Sequence, residues 1–260
     1  MNKTGDVRKI GLARALSKLG YCSRSHAVKL ILAGRVSLNG KARRNPEAPV
    51  SGKRNQIAVD GKVVEPQTKV YIMLNKPRGV VTTASDERGR ETVYGMLSHS
   101  SAGGIFGNVT ELPWVAPVGR LDKASEGLLL MTNDSEWSAR IAAPETHLDK
   151  TYHVQVGAVA DEEFLQTLIQ GVKAKDGEVL QAKRARLLRA GQKNCWLEIV
   201  LDEGKNRQIR RMMEAMGVEV LRLMRVAIGP LELGNLAKGK CRVLTADEKR
   251  MLDRAMRGTL

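Results

Sequence analysis

"PVGRLDKASEGLLLMTND", residues 117–134, places Arg120 and Asp122 two positions apart in a turn that opens into an apolar run. With "APVG" before it and "GLLLM" after it, the turn is enclosed by apolar chain, so a carboxylate there is expected to be partly desolvated. Such an acid needs a cationic partner to stay ionised at neutral pH. The same Arg-x-Asp spacing also fits a plain surface ion pair, which contributes only ~0–1 kcal/mol.

On either side of this stretch the pattern is strand-rich. "VYIMLNKPRGVVTT" (70–83) reads as a strand, an Asn-Lys-Pro-Arg-Gly turn and another strand. The polar, Gly-rich "SHSSAGGIFGN" (98–108) reads as a mobile loop. Beyond the turn, "KTYHVQV" alternates as a strand and "DEEFLQTLIQG" reads as a capped helix ending at Gly171. "CWLEIVL" is a further strand, "RQIRRMMEAMG" a helix with basic residues at its start, and "LMRVAIGPLEL" more strand. "TADEKRML" starts a last helix with a Thr245/Glu248 capping box. Strands without regular strand-helix alternation predict an α+β fold with a mixed, mainly antiparallel sheet and flanking helices.

The first quarter differs in charge. Of a net +15 over 260 residues, +11 falls in residues 1–62, where fourteen Lys/Arg face three acids, Asp6, Glu47 and Asp60. "GLARALSKLG" puts Leu12, Leu16 and Leu19 on one helical face and stops at Gly20. A second helix follows, capped by Ser23 or Ser25, with Ala27, Val28, Ile31 and Leu32 as its apolar side and Gly34 at its end. "VSLNGKA" and "IAVDGKVV" carry Asn-Gly and Asp-Gly hairpin signals, with the polar "RRNPEAPVSGKRNQ" between them. The expected organisation is a flexible tail (1–7), a basic helix-and-strand domain (8–65), a linker (66–69) and a larger body (70–260).

A basic balance of this size predicts a polyanionic partner, nucleic acid or an anionic membrane surface. Apolar runs such as "LLLM" are far shorter than the roughly 20 residues of a bilayer span. The N-terminus shows no apolar core behind its charges. Three scattered cysteines, Cys22, Cys195 and Cys241, fit neither a disulfide framework nor a clustered zinc site. A cytoplasmic protein with reduced thiols is the expectation.

"LARALSKLGYCSRSHAVKLILAGRVSLNGK" (12–41) resembles the alpha-L RNA-binding domain, named after a small-subunit ribosomal protein. "GRLDKASEGLLLMTND" is similar to the signature of RNA pseudouridine synthases, in the RsuA-type branch that modifies ribosomal RNA. "MLNKPRGVVTT", "DKTYHVQV" and "LDEGKNRQIRRM" agree with it in order and spacing. The resemblance implies isomerisation of one uridine in ribosomal RNA by a monomer, on free RNA or a ribosome assembly intermediate. It implies a catalytic aspartate at Asp122, a basic partner at Arg210, and a tyrosine at Tyr152 that stacks on the base and serves in proton transfer. It implies that Arg120 fills the gap left by the flipped base. Arg24, Lys29 and Arg35 are implied in RNA binding.

The chemistry of such a reaction is self-contained. A glycosidic bond is broken, the base turns, and a carbon-carbon bond forms to the same sugar carbon. Nothing is oxidised or energised, so no cofactor and no metal is expected, and no phosphate-binding glycine motif is evident in the sequence. One ionised carboxylate can attack the sugar or the uracil ring, or stabilise charge during cleavage.

Alternatives stay open at this level. Tyr152 alternates with Val154 and Val156 and reads equally as a core residue. Arg207 and Arg211 neighbour Arg210, and all three can bind phosphate. Glu126, Asp134 and Asp202 could join Asp122 as magnesium ligands of a nuclease. The four histidines show no ligand spacing. The second reading of the whole chain is a non-catalytic ribosomal RNA-binding assembly factor. The wording "EGKNRQIRRM" leans toward the large ribosomal subunit.

Overall fold

A computed structural model describes residues 9–51, 55–84, 86–101 and 112–258. Two compact units emerge. The described part of the first takes in residues 9–51, 55–71, 112–116 and Thr132–Ser135; the second takes in the rest.

In the first unit, β1 (Ile10–Gly11) leads into α1 (Leu12–Lys18), which buries Leu12 and Leu16 completely and ends at Gly20, φ +78°. Glycine takes that left-handed backbone without the Cβ penalty. Ser23 is the cap of α2 (Arg24–Leu32), its Oγ accepting from the His26 amide at 3.1 Å. The inward face of α2 is Ala27, Leu30 and Ile31. Leu32, expected inside, is exposed, because burial of Ile31 turns the next residue about 100° away.

β2 (Val36–Leu38) and β3 (Lys41–Arg43) form a hairpin, as do β5 (Ile57–Val59) and β6 (Lys62–Val63). Their loops, Asn39-Gly40 and Asp60-Gly61, have positive φ at both residues, as a two-residue hairpin turn requires. The strand order is β3-β2-β5-β6. The polar stretch between the hairpins supplies β4 (Pro49–Val50), which pairs with β1.

Among the described residues, the second unit is built on a sheet of nine strands. In chain order come β7 (Tyr71–Lys76), α3 (Val93–Ser101), β8 (Ala116–Pro117), β9 (Glu126–Thr132) and α4 (Ser135–Ala142), of which the end residues Tyr71, Ala116, Thr132 and Ser135 belong to the first unit. Then follow β10 (Lys150–Val156), α5 (Glu162–Gln170), β11 (Val172–Lys173), β12 (Val179–Leu180), β13 (Arg184–Ala190) and β14 (Cys195–Leu201). α6 (Gln208–Ala215), β15 (Val220–Ile228), β16 (Leu231–Glu232), β17 (Cys241–Val243) and α7 (Ala246–Ala255) are the remaining described elements.

The order across the sheet is β13-β14-β10-β15-β9-β7-β17, with β16 beside β15 and β8 beside β9. β15 and β9 run parallel; the other registered pairs are antiparallel. The expected mixed, mainly antiparallel α+β fold is what forms. β9 is buried along its whole length, which its apolar composition permits for a strand covered on both faces. Alternate residues of β10 and β14, including Val154, Val156, Leu197 and Ile199, pack with Leu165 and Leu168 of α5 and Met212 and Met213 of α6.

Some expectations fail locally. "VVTT" does not form a strand; it contributes one isolated bridge, Val81 to Thr92. The Val81 backbone is bonded to Glu91 and Val93, while the Thr82 hydroxyl engages the Asp122 turn, as described below. Residues 98–101 of the expected loop end α3, and residues 102–108 lie outside the described residues. α4 and β13 are elements that the sequence pattern had not disclosed.

Candidate active site

The turn around Asp122 joins β8 to β9 and is clamped from below. The Ser125 amide donates to the Asp122 carbonyl at 3.0 Å, closing a β-turn. Lys76, at the end of β7, is fully buried, and its Nζ donates to the carbonyls of Asp122 (3.1 Å), Ser125 (2.8 Å) and Pro77 (3.1 Å). Burial pushes the Lys76 ammonium down to about 8, against the pull of Asp122 and Glu126. Thr82 Oγ1 donates to the Leu121 carbonyl at 2.7 Å, and the Gly79 amide donates to that of Lys123 at 2.7 Å. "NKPRGVVT" is thus a cradle for the turn.

The Asp122 carboxylate meets Arg207, whose Nη1 lies 3.2 Å from Oδ2. Arg207 is the N-cap of α6, with a left-handed backbone at φ +50°. Arg210, one turn further on, donates from Nη2 to the Ala124 carbonyl at 3.1 Å. Burial, with Arg207 nearby, lowers its guanidinium below the usual arginine range; Asp122 acts in the opposite sense. The direct ion pair therefore comes from Arg207, while Arg210 grips the backbone of the same turn. Asp122 is also more open than expected, its side chain 38% exposed, because one wall of its surroundings is a cleft.

That cleft, about 260 Å³, is lined by Arg120, Asp122, Lys150, Tyr152, Arg207, Arg225 and surrounding apolar residues. It is slightly smaller than the ~300 Å³ at which pockets for drug-sized ligands begin, a scale suited to a single base. Tyr152 is half-buried: it packs against the core of the unit and lines the cleft, so the two readings of this residue are not exclusive. Arg120 is exposed at the cleft.

Two cleft residues escaped the sequence reading. Arg225 is buried, its Nε donating to the Leu128 carbonyl at 2.8 Å. Lys150 is pushed below the usual lysine value by burial and then by Arg225, with Asp149 and Asp202 opposing. Both sit in strands whose alternation was legible, yet nothing local distinguishes a lysine or arginine that turns toward a cleft from one that turns to solvent. Lys76 is indistinct in the sequence for the same reason, although the proline after it marks the turn.

Gly127 holds β9 close to β15. A Cβ built on it would lie 2.3 Å from the Arg225 carbonyl oxygen, and its φ is +103°. The other proposed ligands are occupied differently. Glu126 is buried against Arg222 Nε and Lys238 Nζ, each at 2.8 Å, and Asp134 accepts from the Tyr71 hydroxyl at 2.9 Å. Among the described residues no group of three or more His, Cys, Asp or Glu is arranged to hold a metal.

In the first unit, Arg24 and Lys29 are exposed on α2, and Arg35 is engaged with Asp60 at 2.9 and 2.5 Å. Arg211 is taken up by Asp176 (2.6 Å) and Glu178 (2.7 Å), bracing α6 against the β11–β12 hairpin. Among the described residues no helix is long and apolar enough to cross a membrane.

Residues 70–215 match the RNA pseudouridylate synthase family, and residues 10–55 match the S4 domain. An uncharacterized RNA pseudouridine synthase of Aquifex aeolicus (strain VF5) is 38% identical over 96% of either chain. Ribosomal large subunit pseudouridine synthase B of Bacillus subtilis (strain 168) is 37% identical, over 93% of this chain and 94% of that one. A crystal structure of a pseudouridylate synthase, 28% identical, superposes with a TM-score of 0.62 over 94% of this chain and 99% of the other. With an S4 domain ahead of a sheet that carries the Asp122 cleft, this chain belongs to the RNA pseudouridine synthases, the isomerases that convert uridine to pseudouridine in RNA.

Proposed function

We propose that the chain isomerises one uridine of ribosomal RNA, in the large subunit, with Asp122 as the nucleophile. The observation that carries this reading is the Asp122 carboxylate at a base-sized cleft, 3.2 Å from Arg207, with Tyr152 lining the same cleft. The Arg207 guanidinium, donating to Oδ2, holds the carboxylate in place for attack. The relative from Bacillus subtilis named for the large ribosomal subunit, similar along 94% of its length, supports the choice of RNA.

On the ribose route, an Asp122 oxygen bonds to C1′ as the N1–C1′ bond breaks, and uracil leaves as an anion. The base turns, C5 bonds to C1′, and the carboxylate is released. The C5 proton is lost and N1 gains one, so atoms and electrons balance without a co-reactant. Attack on the ring instead leaves the same balance. Tyr152 stacks on the base and serves the proton transfer; Arg120 occupies the space the base vacates. Arg24, Lys29 and Arg35 hold the RNA backbone from the S4 domain. The protein acts as a cytoplasmic monomer on ribosomal RNA or an assembly intermediate.

The test is conversion of transcribed large-subunit ribosomal RNA, read by pseudouridine mapping, with the parent protein and Asp122→Asn. One new pseudouridine made by the parent and none by the variant supports the proposal. Tight binding without conversion by the parent would instead identify a non-catalytic assembly factor.

A further inference from the structure

The cleft occupies one face of the sheet, and the opposite face has a chemistry of its own. Tyr152, Leu223 and Arg225 point into the cleft, so strand alternation sends Gln155, His153, Arg222 and Met224 the other way. Across the strands the register aligns Arg189, Trp196, Gln155 and Arg222 in one row. The next row is Arg186, Glu198, His153 and Met224, with Glu126 beside it. A bulge between Leu187 and Arg189 shifts the edge strand by one residue, which brings Arg189 to the same side as Arg184 and Arg186.

The centre of this face is Trp196. The Arg189 guanidinium lies 5.2 Å and the Arg222 guanidinium 5.4 Å from its ring centroid. Arg222 gives its Nε to Glu126 at 2.8 Å, which leaves its Nη groups and the Arg189 guanidinium to face an anion. The acids of the face lie beneath the cations. Glu198 and Glu126 side chains are 20% and 3% exposed, whereas Arg184, Arg186 and Arg222 are 72%, 67% and 43% exposed. Solvent therefore meets guanidinium groups first, with the carboxylates orienting them from below.

We propose that this face, on the side of the sheet away from the cleft, is a second RNA-binding surface that takes the phosphodiester backbone of the substrate. The inference rests on the RNA substrate proposed above and extends it beyond the S4 domain and the cleft. Row spacing favours a polymer over a single phosphate, because the cations repeat along a sheet instead of converging on one point. An arginine-rich surface with an aromatic at its centre suits a nucleic-acid strand.

The experiment uses the full chain with Arg184→Glu and Arg189→Glu together. Both side chains are exposed, so the fold should persist; thermal unfolding checks it. Affinity is measured against salt with transcribed large-subunit ribosomal RNA. The expected result is about tenfold weaker binding and a log-log salt slope shallower by about 1.5, as follows when two phosphates are no longer neutralised. Unchanged affinity and slope overturn the proposal. Should the double variant unfold, Arg189→Gln is measured the same way, with a slope change of about 0.8 expected and none overturning the proposal. Asp122→Asn separates the two readings: it removes conversion without touching this face, whereas the surface variant weakens RNA binding with the nucleophile in place.

Discussion

Lys76 Nζ donates to the Asp122 carbonyl at 3.1 Å from a site with no solvent access, so the backbone of the proposed nucleophile hangs on a buried ammonium. The same nitrogen holds Ser125 at the far end of the turn. Loss of that one group would take a donor from three carbonyls, of which that of Asp122 keeps the Ser125 amide.

Lys76→Met should therefore lower stability by about 3 kcal/mol and conversion by about tenfold or more. The pH dependence has a definite sign. Below about 8 both folded and unfolded chains keep the proton; between about 8 and 10.5 the unfolded chain binds more of it. Stability contributed by this group must then rise with pH across that window. Urea unfolding from pH 7 to 11 should show the rise in the parent and not in Lys76→Met; an identical profile in both would remove the lysine from this role.

Asp122→Asn keeps shape and removes charge. Conversion should fall by at least about 10³-fold, about 4 kcal/mol of transition-state stabilisation, while RNA affinity stays within about threefold. Filter binding and pseudouridine mapping on the same preparation check this, and substantial turnover would remove Asp122 as nucleophile.

Tyr152 sits in both core and cleft, and its two contributions separate by substitution. Tyr152→Phe should fold and bind like the parent while losing the proton transfer. Tyr152→Ala should lose a stacked ring, ~1–3 kcal/mol of binding, and part of the ~3–5 kcal/mol that an emptied aromatic site costs in stability. Calorimetry and RNA titration distinguish the two losses; full activity in the folded fraction of Tyr152→Ala would leave only the core role.

Gly127→Ala should cost about 3 kcal/mol, because the new methyl meets the Arg225 carbonyl and the backbone is left-handed. The parallel pairing of β9 with β15 should open at that point, and hydrogen exchange of the adjacent amides should speed up. Unaltered exchange and unaltered stability would show that the two strands can part without consequence.

What the sequence disclosed was local. Ser23 caps α2, Asn39-Gly40 and Asp60-Gly61 turn the hairpins, and Thr245 with Glu248 closes the capping box of α7, all within four residues of chain. Family resemblance brought Asp122, Tyr152 and Arg210 together. Hidden were features set by distant partners: β13 reads as a charged loop because its residues are almost all exposed, and α4 is recognisable only by what Trp137 and Ile141 bury. Lys76 looks like any basic residue before a proline until the turn 46 residues later folds over it. The choice of Arg207 over Arg210 as direct partner of Asp122 depends on the start of α6, one residue of backbone that no periodicity encodes.

That one residue carries a conflict. Arg207 adopts φ +50°, a conformation that costs a side-chain-bearing residue ~1–2 kcal/mol and glycine almost nothing. Glycine at 207 would relax the helix start and withdraw the cation from Asp122; arginine supplies the cation and keeps the backbone tense. On the proposed mechanism, position 207 thus has no residue that is best for both endurance and turnover. Selection of this protein for heat resistance alone should drift toward glycine or asparagine there, and each such gain would leave the carboxylate of Asp122 less well attended.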